Sequence, residues 1–136
     1  MRSMKKLIVA VGIAVCGTLS GCISWTDPKA LATRDEAYLC GAYGEENRPG
    51  VLHGYEDRIV AIRQEIDRRR AVDPTDWPVI NARQVRIGMT ECAFRAAWGY
   101  PDTFNATTTA YGRNIQYVYG QSYVYTNGSR VTAIQN

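Results

Sequence analysis

The stretch IQYVYGQSYVYTNGSRVTAIQ, residues 115–135, decides the fold. Successive side chains of a strand point to opposite faces, so Ile115, Tyr117 and Tyr119 fall on one side and Gln116 and Val118 on the other. Gly120-Gln121-Ser122 reads as a turn, residues 123–126 as a second strand and residues 130–135 as a third. Asn127-Gly128, between the last two, is the dipeptide best suited to a type I′ hairpin. The stretch predicts an antiparallel meander.

Working outward from it, the period changes from two to that of a helix. Thr90 is placed as an N-cap, Phe94 and Trp98 with Ala93 and Ala97 form two apolar i to i+4 rows, Gly99 closes the helix and Pro101 prevents its continuation. Small alanines beside large aromatics suit close packing on a sheet. Residues 103–109 read as an irregular connection or a frayed edge strand. A shorter helix is expected over residues 76–85, with Asp76 as N-cap and with Val79 and Ile80 facing inward. Over residues 55–71, Tyr55, Ile59, Ile62 and Ile66 recur at helical spacing. Acids lead that helix, Arg68-Arg69-Arg70 closes it, and Glu65 and Arg69 are placed as an i to i+4 pair. The expected fold class is α+β, with helices packed on one face of a small antiparallel meander.

The opening residues MRSMKKLIVAVGIAVCGTLSGC carry a positive start, an apolar run and small residues before Cys22, the three parts of an export signal. The run is shorter than the roughly 20 apolar residues a spanning helix needs. Leu19-Ser20-Gly21-Cys22 resembles the lipobox of bacterial lipoproteins, which implies cleavage between Gly21 and Cys22 and lipidation of Cys22 with palmitate-type acyl chains. Each buried methylene contributes about 0.8 kcal/mol, so several chains make a lasting anchor. Ile23 after the cysteine, where an aspartate would retain an enteric lipoprotein in the inner membrane, points to the outer membrane, facing the periplasm. Residues 1–21 are thus expected to be a signal, 22–37 a flexible tether and 38–136 a single domain.

Removing the signal takes away Arg2, Lys5 and Lys6, which accounts for the whole formal charge of +3. The remainder is neutral but uneven: 8 basic and 11 acidic residues from Cys22 to Asp76, then 5 basic and 2 acidic to the end. No concentrated basic stripe exists, so nucleic-acid binding is not expected. Cys40 and Cys92 are the thiols left to pair, and an oxidising compartment favours their disulfide. Tyr38-Leu39-Cys40 reads as a short apolar hook on the domain, followed by loop signals from Gly41 to Gly54.

Catalysis needs an activated nucleophile beside a base, yet the one histidine, His53, sits between loop signals. Cys40 and Cys92 lack redox or zinc spacing, and no phosphate-binding glycine loop is present. No catalytic residues, metal, cofactor or small-molecule substrate is therefore expected. Tyrosines crowd the meander instead. Tyr123 and Tyr125 share one face, and flanked by Arg113 and Arg130 they have the composition of a protein-binding strip.

Val85-Arg86-Ile87-Gly88-Met89-Thr90, followed by Ala93, Ala97, Gly99, Pro101 and Asp102, resembles the SmpA/OmlA family of BamE-like outer-membrane lipoproteins. Tyr117-Val118-Tyr119 and Asn127-Gly128 continue the pattern, so the resemblance covers residues 80–136. It implies the fold shared with the β-lactamase inhibitor protein. It also implies a non-enzymatic lipoprotein that binds another envelope protein, in β-barrel assembly or envelope maintenance. The alternative it leaves open is a membrane-tethered inhibitor or sequestering module for a periplasmic or secreted enzyme. Tyr117 stands where the family has tryptophan, and the helix over residues 55–71 has no counterpart there.

Overall fold

A computed structural model describes residues 26–50 and 56–136. The expected signal, the Gly21–Cys22 cleavage and lipidation site, Tyr55 and His53 lie outside the described residues. Strands β1 (Thr103–Thr109), β2 (Gly112–Tyr119), β3 (Ser122–Thr126) and β4 (Val131–Gln135) pair antiparallel in chain order. Tyr117 lies opposite Val124 and Ile115 opposite Thr126, and all four are buried on the inner face. Residues 103–109 form a regular edge strand, matched without a break from Thr103 opposite Val118 to Thr109 opposite Gly112.

The Asn127-Gly128 hairpin is not type I′, because Gly128 has φ 89° while Asn127 keeps a negative φ. Thr126 pairs with Val131 across a four-residue loop. The Asn127 side chain organises that loop by accepting from Arg130 N at 3.0 Å and Ser129 N at 3.3 Å. A side chain that substitutes for main-chain acceptors stabilises the longer turn.

Helix α5 (Glu91–Trp98) lies against the inner face, as its apolar rows predict. Thr90 Oγ1 accepts from Ala93 N at 3.1 Å as N-cap, and Gly99 leaves the helix at φ 86°. Phe94, with no exposed surface, sits 5.0 Å from the Tyr117 ring and Trp98 5.4 Å from Tyr119. Burying a side chain of that size contributes about 2 to 3 kcal/mol.

Helix α2 (Glu36–Glu46) packs between α5 and α3 (Glu56–Arg69). This overturns the loop expected from Gly41 onward. Asp35 caps α2 by accepting from Tyr38 N at 2.7 Å, and its two glycines are points of close approach. A Cβ on Gly41 would overlap the Tyr100 ring, and one on Gly44 would overlap Arg95 O and come within 2.7 Å of Gly99 Cα. Packing gained there outweighs the roughly 1 kcal/mol helix penalty of each glycine. One turn before Gly44, Cys40 forms a disulfide with Cys92 of α5, Cα to Cα 5.2 Å.

The tether expected over residues 22–37 ends earlier. Pro28–Ala32 is a short helix, α1, capped by Asp27, and Leu31 is buried against α3. Arg69 Nη2 donates to Leu31 O at 3.1 Å and Ala32 O at 3.2 Å, and Arg69 and Arg68 both grip the buried Glu65 carboxylate at 2.7 Å. The arginine run is thus partly a structural clamp. The short helix after Asp73 splits into a 3-10 turn, Pro74–Asp76, and α4, Trp77–Asn81. Asp73 rather than Asp76 supplies the cap, accepting from Thr75 N at 2.9 Å. Asp76 makes no cap bond because Arg86 claims its carboxylate, Nε to Oδ1 2.9 Å.

Candidate functional site

With α5 on the inner face, the opposite face of the sheet is uncovered. Register places Thr103, Asn105 and Thr107 of β1 beside Val118, Gln116 and Asn114 of β2. It places Tyr123 and Tyr125 of β3 beside Val118 and Gln116, and beside Gln135 and Ala133 of β4. No residue of that face carries a charge. It is a neutral surface of amides, hydroxyls and two half-buried tyrosines.

A single hydrogen-bond chain crosses all four strands. Asn105 Nδ2 donates to Gln116 Oε1 at 3.0 Å, Gln116 Nε2 donates to Tyr125 Oη at 2.9 Å, and Tyr125 Oη donates to Gln135 Oε1 at 3.1 Å. Gln116 and Tyr125 each accept from the preceding group and donate to the following one, so the bonds polarise one another and fix the side chains. The outward atoms that remain, Asn105 Oδ1 and Gln135 Nε2, offer an acceptor at one end and a donor at the other. A shallow concavity of about 480 Å³ opens over Asn105, Asn114, Gln116, Tyr125 and Ala133. Preorganised neutral donors and acceptors suit peptide groups and uncharged side chains.

Tyr123 and Tyr125 therefore share this face, as the alternation predicts, but the two arginines do not flank them. Arg113 has the parity of Ile115 and Tyr117, which places it on the inner-face side, where it is exposed. Arg130 lies in the loop before β4, where its Nη1 donates to Gly88 O at 2.7 Å on the helical side. Arg113's parity with Ile115 is a matter of spacing within β2, but the position of Arg130 is not, because the four-residue loop and a bulge between Tyr125 and Thr126 reset the parity of β4. Asn105, Gln116 and Gln135 were missed as site residues. Their signal was an absence of charge at alternate positions across strands whose register was not yet known.

The tyrosines on the inner face behave differently. Burial pushes the Tyr119 hydroxyl up, so it remains a donor to Gly99 O at 2.9 Å. Tyr100 is pushed to about 12, chiefly by burial, and donates to Tyr38 O at 2.9 Å. Tyr119 ties β2 to the end of α5, and Tyr100 ties the segment entering β1 to α2.

A groove of about 810 Å³ lies on the helical side over Val72, Pro74, Trp77 and Pro78. Two of the charges that line it, Arg63 and Asp67, engage each other. The Arg63 guanidinium sits 3.4 Å over the Trp77 ring and donates to Asp67 at 2.9 Å, and Asp67 also accepts from Trp77 Nε1 at 3.0 Å. Among the described residues no cluster of three or more His, Cys, Asp or Glu side chains is placed to hold a metal ion, and no helix is long and apolar enough to cross a membrane.

No family model, curated protein or solved structure matches the chain.

Proposed function

We propose that this chain is a non-enzymatic, BamE-like lipoprotein, anchored to the outer membrane through Cys22 and facing the periplasm, that binds another envelope protein through the outer face of its sheet. The observation that carries the docking surface is the uncharged face crossed by the Asn105–Gln116–Tyr125–Gln135 chain. Surface depleted of charge, with tyrosine at its centre, has the character of an interface core. Barrel assembly or envelope maintenance is the context that the Val85–Thr90 motif and the lipobox support.

The test is a photo-crosslinker placed in cells at Tyr123 on the face and at Val60 on exposed α3. Recovery of barrel-assembly subunits from position 123 and not from position 60 supports the reading, and Tyr125→Ala should weaken that capture with the fold unchanged. Recovery of a single periplasmic or secreted enzyme would replace it with the tethered-inhibitor reading. Equal capture at both positions refutes the face. Labelled palmitate should enter the chain and fail to enter Cys22→Ser; no incorporation in the unsubstituted chain refutes the anchor.

A further inference from the structure

β1 is an edge of the sheet, and among the described residues no strand other than β2 pairs with it. Val118 O accepts from Asp102 N at 2.8 Å, so the even-numbered residues of β2 direct their main-chain groups toward β1, onto Thr103, Asn105, Thr107 and Thr109. The N–H and C=O groups of Phe104, Ala106 and Thr108 then point outward along the free edge. Natural edges are guarded by charge, proline, a bulge or a covering segment. The sequence TFNATTT has no charge and no proline, its pairing with β2 is continuous, and it packs almost wholly on β2. The opposite edge differs, because Gly88 N donates to Val131 O and Val131 N to Met89 O, both at 2.8 Å, covering the start of β4. Of the large apolar residues exposed among the described residues, Phe104 and Tyr111 stand on or beside β1 at 54 and 101% exposure.

We propose that β1 pairs with β1 of a second copy of this chain, antiparallel about a two-fold axis through Ala106. That register is self-complementary. Phe104 of each copy meets Thr108 of the other, and Ala106 meets itself, so the outward main-chain groups form two hydrogen bonds at each pair. No like charges oppose across the axis, and the alanine methyl there admits close approach. The pairing leaves the uncharged outer face open and extends it across the axis, and it stands independently of what that face binds.

The full chain with Ala106→Cys tests the geometry, since a hydrogen-bonded antiparallel pair has Cα atoms about 5.5 Å apart, within disulfide reach. Mild oxidation should give a disulfide-linked dimer as the main species, while the unsubstituted chain and Ala133→Cys, on the exposed face of β4, should not. Ala106→Lys, which sets like charges against each other at the axis without touching the core, should weaken a dimer seen by sedimentation about fivefold. The proposal is overturned if Ala106→Cys links no more than Ala133→Cys, if the unsubstituted chain sediments as a monomer, or if Ala106→Lys leaves the dimer unchanged.

Discussion

Replacing Cys40 and Cys92 by alanine should cost about 5 kcal/mol, most of it from loop closure, and the structure shows why the figure is large. The bridge closes a loop with a sequence separation of 52 residues, and in the chain-entropy relation a loop of that length removes about 14 cal/mol/K from the unfolded ensemble, about 4 kcal/mol at 25 °C. The closed loop contains α3 and α4 and ends on α5, so the constraint falls on the helical layer that supports the sheet. Both cysteines are buried, at 0 and 2% exposure, and losing their sulfurs adds about 1 kcal/mol of packing. Urea titration of the full chain, followed by the fluorescence of tryptophans that include the buried Trp77, measures the change. With a slope of about 1.5 kcal/mol/M the midpoint should fall by about 3 M. Reducing the unsubstituted chain should reproduce most of that fall, because it opens the same loop and keeps the sulfurs. A loss below about 1 kcal/mol by both routes would refute the entropic reasoning. A large loss on substitution with none on reduction would instead assign the effect to packing.

Two further outcomes follow from the helical layer. The Arg68 and Arg69 bonds hold the Glu65 carboxyl at about 2, below its ordinary 4.5, so the unfolded chain takes up the proton first. That contribution is full above pH 4.5 and fades as pH falls toward 2. Glu65→Gln should flatten this part of the acid denaturation curve and cost about 2 kcal/mol at neutral pH; an unaltered acid slope would show that the clamp contributes nothing. Gly44→Ala should lower stability by about 3 kcal/mol, since its methyl would meet the α5 main chain. Gly120→Ala, with φ 62° and open space around it, should cost only about 1 kcal/mol. Thermal melts of the pair would show equal shifts if close approach were unimportant.

The sheet, α5, α3 and the Cys40–Cys92 bridge were legible because each rests on a local or compositional signal. Alternation marks Ile115, Tyr117 and Tyr119, a cap and two apolar rows mark α5, and two thiols have only each other among the described residues. Helix α2 was illegible because Gly41 and Gly44 disfavour a helix when read locally, and only the main chain of α5 and the ring of Tyr100, distant in sequence, make a side chain impossible there. Helix α1 was hidden for a similar reason: five residues cannot hold a helix alone, and Arg69 and the burial of Leu31 complete it from α3.

The candidate site divides in the same way. Sequence by itself determined that Tyr123 and Tyr125 share a face, because period two is a property of the single strand. Tertiary structure decided which face that is, that Arg113 and Arg130 leave it, and that Asn105, Gln116, Tyr125 and Gln135 meet in one chain. Those facts depend on register between strands, which loop length and a bulge fix and no one strand encodes.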